Sequence, residues 1–242
     1  RAVCKVNGAD MMYTEFISSE GLIRDAIKSR QKLDVFDYER PVGIQIFGGD
    51  EEAMALSARI VDAVQPDLLD INFGCPVRSA LGGCRGGYHL GQPHVALEIV
   101  SRTREAVPPQ IPVTLKLRRG IDDSRQSRDR FFQILEGALE RGIAAVTVHA
   151  RTVVQKYCGP SNWDFLREVK QHFQSATILG SGDLFTAQDC LRMLQVTGVD
   201  GVSVARGAIG NPWIFQQVRA VAAGQFAPSP AVGEQCRVLN MQ

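Results

Sequence analysis

Seven short, near-continuous apolar runs alternate along this chain with stretches of helical periodicity. The runs cover residues 9–16, 42–47, 68–73, 112–118, 144–149, 176–179 and 201–205. Apolar runs of this kind, without polar alternation, belong to strands buried on both faces, as in parallel sheets covered by helices. A repeat of roughly 30–35 residues per strand and helix fits a (β/α)₈ barrel better than a solenoid. The predicted fold is therefore a TIM barrel with one strand too few. Residues 1–7 read as the end of a helix whose own strand, the first of the barrel, is missing. Residues 1–224 form the barrel domain in this reading, and 225–242 a linker or the start of a further helical domain.

The 242 residues, 45% of them hydrophobic, suffice for one large core. A net charge of +1 gives no overall pull toward nucleic acid, so any RNA affinity must be local. The six cysteines are widely spaced without a CxxC, which predicts reduced thiols rather than a disulfide framework or a metal site. The apolar runs are too short to cross a membrane, and no secretory signal opens the chain. The chain begins with Arg1 rather than Met, so a natural start is expected to lie upstream.

Between these runs the pattern is equally readable. Asp50 precedes Glu51 and Glu52 where a helix would be capped. Residues 77–92 are glycine-rich and predict a loop with little packing. The 68–73 run stops at Gly74-Cys75-Pro76, where glycine frees the backbone and proline bars further pairing. A thiol is thereby left at a strand's C-terminal end, the end at which barrels place their chemistry. Other polar residues occupy the same end of other strands: Gln45, Asn72, Lys116, His149 with Arg151, Ser181 with Gly182 and Asp183, and Ala205-Arg206. Singly each reads as a turn cap or a solvated charge. Gathered by barrel closure they form one pocket. The last two groups combine backbone N–H groups with a guanidinium, the way barrels hold a phosphate after strands seven and eight.

In order and spacing the chain resembles the tRNA-dihydrouridine synthases, most closely the bacterial-type branch. The resemblance is carried by Tyr13-Thr14-Glu15, Gln45, Asp70-Ile71-Asn72-Phe73-Gly74-Cys75-Pro76, Pro112-Val113-Thr114-Leu115-Lys116 and Thr147-Val148-His149-Ala150-Arg151-Thr152. Residues 157–164, Gly182-Asp183 and Arg206-Gly207-Ala208-Ile209-Gly210-Asn211-Pro212-Trp213 extend it. It implies an FMN-dependent oxidoreductase that reduces uridine in tRNA to dihydrouridine, with NADPH as electron donor. It implies FMN contacts at Gln45, Lys116, His149, Ser181, Gly182, Asp183, Ala205 and Arg206, substrate contacts at Asn72 and Arg151, and proton donation by Cys75. Two site positions depart from the family pattern: Ser181 stands where the family has Asn, and Ala205 where it has Gly. The family's first strand and its C-terminal tRNA-gripping domain have no counterpart here. A monomeric cytoplasmic enzyme without metal is expected, marginally stable and weak in flavin binding as an isolated chain. The 119–130 segment, with Arg119, Arg125, Arg128 and Arg130, offers arginines to RNA or simply to solvent. Two other readings are a non-catalytic fragment and an aldolase using Lys116 as a Schiff base.

Overall fold

Each run predicted as a strand pairs in parallel with a neighbouring one, and the central strands at 42–47, 68–73 and 113–118 are buried on both faces. The computed structural model describes residues 1–227 and 229–240. The 225–242 stretch predicted as a linker or domain start includes Pro228, Met241 and Gln242, which lie outside the described residues.

A short helix α1 (Ala2–Val6) is followed by strand segments β1 (Met12–Tyr13) and β2 (Ile17–Ser18), both paired with β3 (Val42–Phe47). The single strand expected at 9–16 is thus split. Thr14 causes the break: its Oγ1, not a backbone carbonyl, accepts the Gln45 N–H at 3.1 Å. Helices α2 (Ser19–Ile23) and α3 (Ile27–Gln31) replace the one helix expected there, separated at Asp25, whose φ is +55°. After β3 come α4 (Glu51–Asp62), β4 (Leu68–Phe73), α5 (Arg78–Leu81), α6 (Pro93–Glu105), β5 (Val113–Arg118) and α7 (Arg125–Glu140). The chain continues through β6 (Ala145–His149), α8 (Trp163–His172), β7 (Ile178–Ser181), α9 (Ala187–Thr197), β8 (Gly201–Val202), α10 (Ile214–Ala222) and α11 (Val232–Asn240).

The sheet order is β1-β3-β4-β5-β6-β7-β8, with β2 beside β3, so seven positions are filled. This is the wall of a (β/α)₈ barrel in which, among the described residues, no strand joins β8 to β1. Helix starts are sequence-encoded: Asp50, Ser124, Asn162 and Thr186 each accept a backbone N–H from the first turn of α4, α7, α8 and α9. Between sheet and helices lies one continuous core containing Ile44, Ile71, Leu115, Phe131, Val148 and Met193.

The glycine-rich segment after Cys75 differs from its expectation. It holds α5 and a 3₁₀ turn at Gly86–Gly91, and His89 and Leu90 are fully buried. Leu90 joins the core, and His89 Nε2 donates to the Gly48 carbonyl at 2.9 Å while its ring packs 4.9 Å from Phe73. Glycines therefore serve close packing in this segment, not looseness.

Phe131 is fully buried with Phe132 and Phe165 edge-on to it. Phe131→Ala should lower unfolding stability by about 3–5 kcal/mol through lost burial and a residual cavity. Leu56→Ala, on the exposed side of α4, should change it by less than about 0.5 kcal/mol. Urea unfolding of the two variants measures the difference.

Candidate functional site

A cavity of about 340 Å³ opens at the C-terminal ends of the strands. Gln45, Asn72, Cys75, Lys116, His149, Ser181, Gly182, Asp183, Ala205 and Arg206 all line it. The parallel register explains the convergence. It aligns Gln45 with Asp70, Asn72 with Lys116 and His149 with Ser181 on neighbouring strands. Arg151 is placed differently. It stands behind the cavity, donating to both Asp183 carboxylate oxygens at 2.6 and 2.8 Å and to the Gly159 carbonyl. Its buried Nη1 carries no hydrogen bond among the described residues.

Asn72 builds the turn that presents the thiol. Its Oδ1 accepts the N–H groups of Gly74 at 2.9 Å and Cys75 at 3.0 Å. Gly74 was expected to supply unusual backbone freedom, yet it is absent from the left-handed region. The backbone constraint lies at Gly86, with φ +58°, where a Cβ would sit 2.9 Å from that of Cys75. Gly87 N–H also donates to the Cys75 carbonyl at 3.0 Å, so the 3₁₀ turn closes over the cysteine from outside. Cys75 is 6% exposed and, like the other five cysteines, a free thiol.

Arg118 was not among the expected site residues. Fully buried, it donates to the carbonyls of Gly74, Thr152 and Lys156 and faces the Tyr157 ring. It ties the Cys75 turn to the loop after β6. The available signal was its position two residues beyond Lys116, which puts both on one face of β5. Phe16, Tyr157, Phe185 and Ser203 also line the cavity without having been expected there. Arg206 lies over the rings of Tyr157 at 4.8 Å and Phe185 at 5.4 Å, a cation held between two aromatic faces at the rim. In the basic 119–130 segment, Arg119 pairs with Asp123, and Arg128 pairs with Glu168 and lies over Phe132.

The cavity is electropositive. Burial lowers the Lys116 ammonium pKa and the nearby Arg118 lowers it further, while Asp70 acts to keep it charged. The Lys116 ammonium has no hydrogen bond or ion pair among the described residues. Burial, with Lys116, Arg118, Arg151 and Arg206 around it, brings His149 down to about 3, so its ring is neutral near pH 7. His149 Nδ1 is buried without a hydrogen-bond partner among the described residues. Burial alone would raise the Asp183 carboxyl, but hydrogen bonds from Arg151 and the Ser161 N–H, with the charge of Arg206, hold it below the usual range. An unpaired ammonium, an orphaned imidazole nitrogen and a rim guanidinium suit an anionic, acceptor-rich ligand. Among the described residues no group of three or more His, Cys, Asp or Glu is placed to hold a metal ion, and no helix is long and apolar enough to cross a membrane.

The sequence pattern of the family described as Dihydrouridine synthase (Dus) matches residues 1–242. The chain is 39% identical over 222 residues to a probable tRNA-dihydrouridine synthase of Aquifex aeolicus, covering 90% of this chain and 68% of that protein. It is 35% identical over 228 residues to one from Treponema pallidum, covering 91% and 66%, and 32% identical over 242 residues to one from Rickettsia prowazekii, covering 99% and 72%. It thus spans about two thirds of the length of these curated relatives.

The depressed His149 pKa has a definite sign for stability. Between 6.5 and about 3 the unfolded chain binds a proton at this residue that the folded chain does not. The contribution is therefore complete above the unfolded value and is lost as pH falls through that window. His149→Phe should make the loss of stability between about pH 7 and about pH 4.5 shallower. His89, also lowered by burial, adds a slope of the same sign that remains in the variant. Urea unfolding at the two pH values measures the change.

Proposed function

This chain belongs to the dihydrouridine synthase family, and from that premise we propose that it reduces uridine in tRNA to 5,6-dihydrouridine. FMN occupies the cavity in this reading, NADPH is the electron donor, and the cytoplasmic tRNA pool supplies the substrate. The observation that carries the proposal is the placement of Cys75 and Lys116 in one cavity, although 41 positions separate them in sequence. The residues present fit the cofactor. Among the described residues, Lys116 offers an unpaired ammonium, His149 an orphaned nitrogen, and Asp183 and Leu184 offer backbone N–H groups that carry no hydrogen bond.

The flavin, when bound, supplies hydride to carbon 6 of the uracil ring. Cys75 supplies the proton: its S–H bond breaks as a C–H bond forms at carbon 5, and the thiolate left behind takes a proton back from solvent. A thiol S–H held beside the reacting carbon is a proton donor of the kind used in general acid catalysis. Asn72 fixes the turn that carries this thiol and lines the cavity beside it. Lys116 balances negative charge on the flavin ring. Arg206 and the Ser181-Gly182-Asp183 and Ala205 turns hold the phosphate. Arg151, behind the cavity wall, supports that subsite by fixing Asp183.

The depressed Lys116 pKa would also suit a Schiff-base lysine. That reading leaves Cys75 and Asn72 idle, and borohydride trapping with a carbonyl substrate separates the two. For the flavin reading, the full chain reconstituted with FMN is assayed on unmodified tRNA, with dihydrouridine followed by mass. Cys75→Ala should keep the yellow flavin bound and lose about 10²–10⁴-fold in uridine reduction. Lys116→Ala should lose most of the bound flavin. Full-rate reduction by the Cys75→Ala variant would remove that residue from the proton-donor role.

A further inference from the structure

Strand β4 sends two polar side chains into the barrel two residues apart, Asp70 and Asn72. The register sets Gln45 of β3 and Thr114 of β5 on either side of Asp70. The hydrogen bonds among them have only one possible direction. Backbone N–H groups can only donate, so the Asn72 oxygen must face Gly74 and Cys75. Its Nδ2 then faces Gln45, whose Oε1 accepts at 2.7 Å. Gln45 Nε2 is thereby turned to Asp70, whose Oδ2 accepts at 2.5 Å. Thr114 Oγ1 closes the chain on Asp70 Oδ1 at 2.6 Å. Flipping either amide would bring donor against donor or acceptor against acceptor.

Asp70 is 1% exposed, a position at which a carboxylate is costly to keep. What it provides there is an acceptor that ends the chain. We propose that Asp70 is a positioning residue: through Gln45 and Asn72 it fixes the Gly74–Cys75 turn and so the direction in which the Cys75 thiol meets the cavity. The catalytic meaning of this rests on the proton-donor role given to Cys75 above. The positioning itself is measurable without flavin or tRNA. A corollary is that the second N–H of Asn72 and of Gln45 has no partner among the described residues. Both amides line the cavity, so the wall beside Cys75 presents donors suited to ligand carbonyl oxygens.

The test follows alkylation of each cysteine of the full chain by iodoacetamide, resolved by peptide mass spectrometry. Asp70→Ala and Asp70→Asn both remove the carboxylate charge, so the difference between them isolates the hydrogen bonds. Asparagine still accepts from Gln45 and donates to Thr114, whose hydroxyl can turn to accept. The Cys75 alkylation rates of the two variants should differ by about tenfold, the effect of one broken buried hydrogen bond, with the Asp70→Asn rate nearer the parent. Cys190, fully buried on α9, reports that the fold is intact by staying protected. Equal Cys75 rates in the two variants overturn the proposal. Should Asp70→Ala expose Cys190, Thr114→Val and Thr114→Ser decide instead: a changed rate for valine and a parental rate for serine support the relay, and equal rates overturn it. A parent chain that shows this alkylation pattern yet fails to reduce uridine overturns the proposed reaction and leaves the positioning role standing.

Discussion

The two backbone N–H groups that converge on the Asn72 oxygen decide where this protein can do chemistry. A strand in a parallel barrel ends by releasing its N–H and C=O groups from the ladder, and buried groups must find new partners. At the end of β4 the N–H groups of Gly74 and Cys75 find one on their own strand. The Gly74 carbonyl finds the other in Arg118 of β5. The turn is thus clamped from both sides by polar side chains that neighbouring strands hold in register. A loop of the same sequence without those two partners would place the thiol at no fixed point.

Charge follows the same geometry. Lys116, Arg118, Arg151 and Arg206 surround His149, while Asp183 is engaged by Arg151 and Asp70 by Gln45 and Thr114. The carboxylates are therefore satisfied by the protein, and Lys116 and the rim face of Arg206 remain for a ligand. Closely packed like charges are unfavourable in a partly buried site until an anion joins them. His149 answers by remaining neutral, which allows an imidazole to sit among four cations. An anionic ligand bound there relieves a repulsion already present in the folded chain.

Much of this was legible in the sequence, for a physical reason. Strands buried on both faces leave short apolar runs that their length and flanking Gly and Pro separate from buried helices, and the polar residues that end the runs mark the mouth of the barrel. That logic located Cys75, Lys116 and His149 in one place. It failed where a side chain takes over a backbone role. Thr14 splits the first strand by accepting the Gln45 N–H, and the run 9–16 shows no sign of it. Arg118 read as one more arginine near a basic segment, because three carbonyls from distant loops are what make it a buried clamp. The glycines at 86 and 87 read as looseness, whereas their missing side chains admit the backbone against Cys75.

The interior polar layer also explains why β3, β4 and β5 carry the most demanding residues of the sheet. An apolar barrel floor would accept a slip of two residues between neighbouring strands with only modest loss of packing. A floor in which Asp70 must receive Gln45 from one side and Thr114 from the other does not, because a slip strands a buried carboxylate without donors. The cost of that error is several times the worth of any single apolar contact in the wall. Specific register is thus enforced by polar pairing at the level just beneath the cavity, and apolar burial supplies the bulk stability around it. The two roles fall on the two faces of the same strand. Residues 70, 72, 114 and 116 point inward at alternate positions, while Leu69, Ile71, Leu115 and Leu117 between them join the core under the helices.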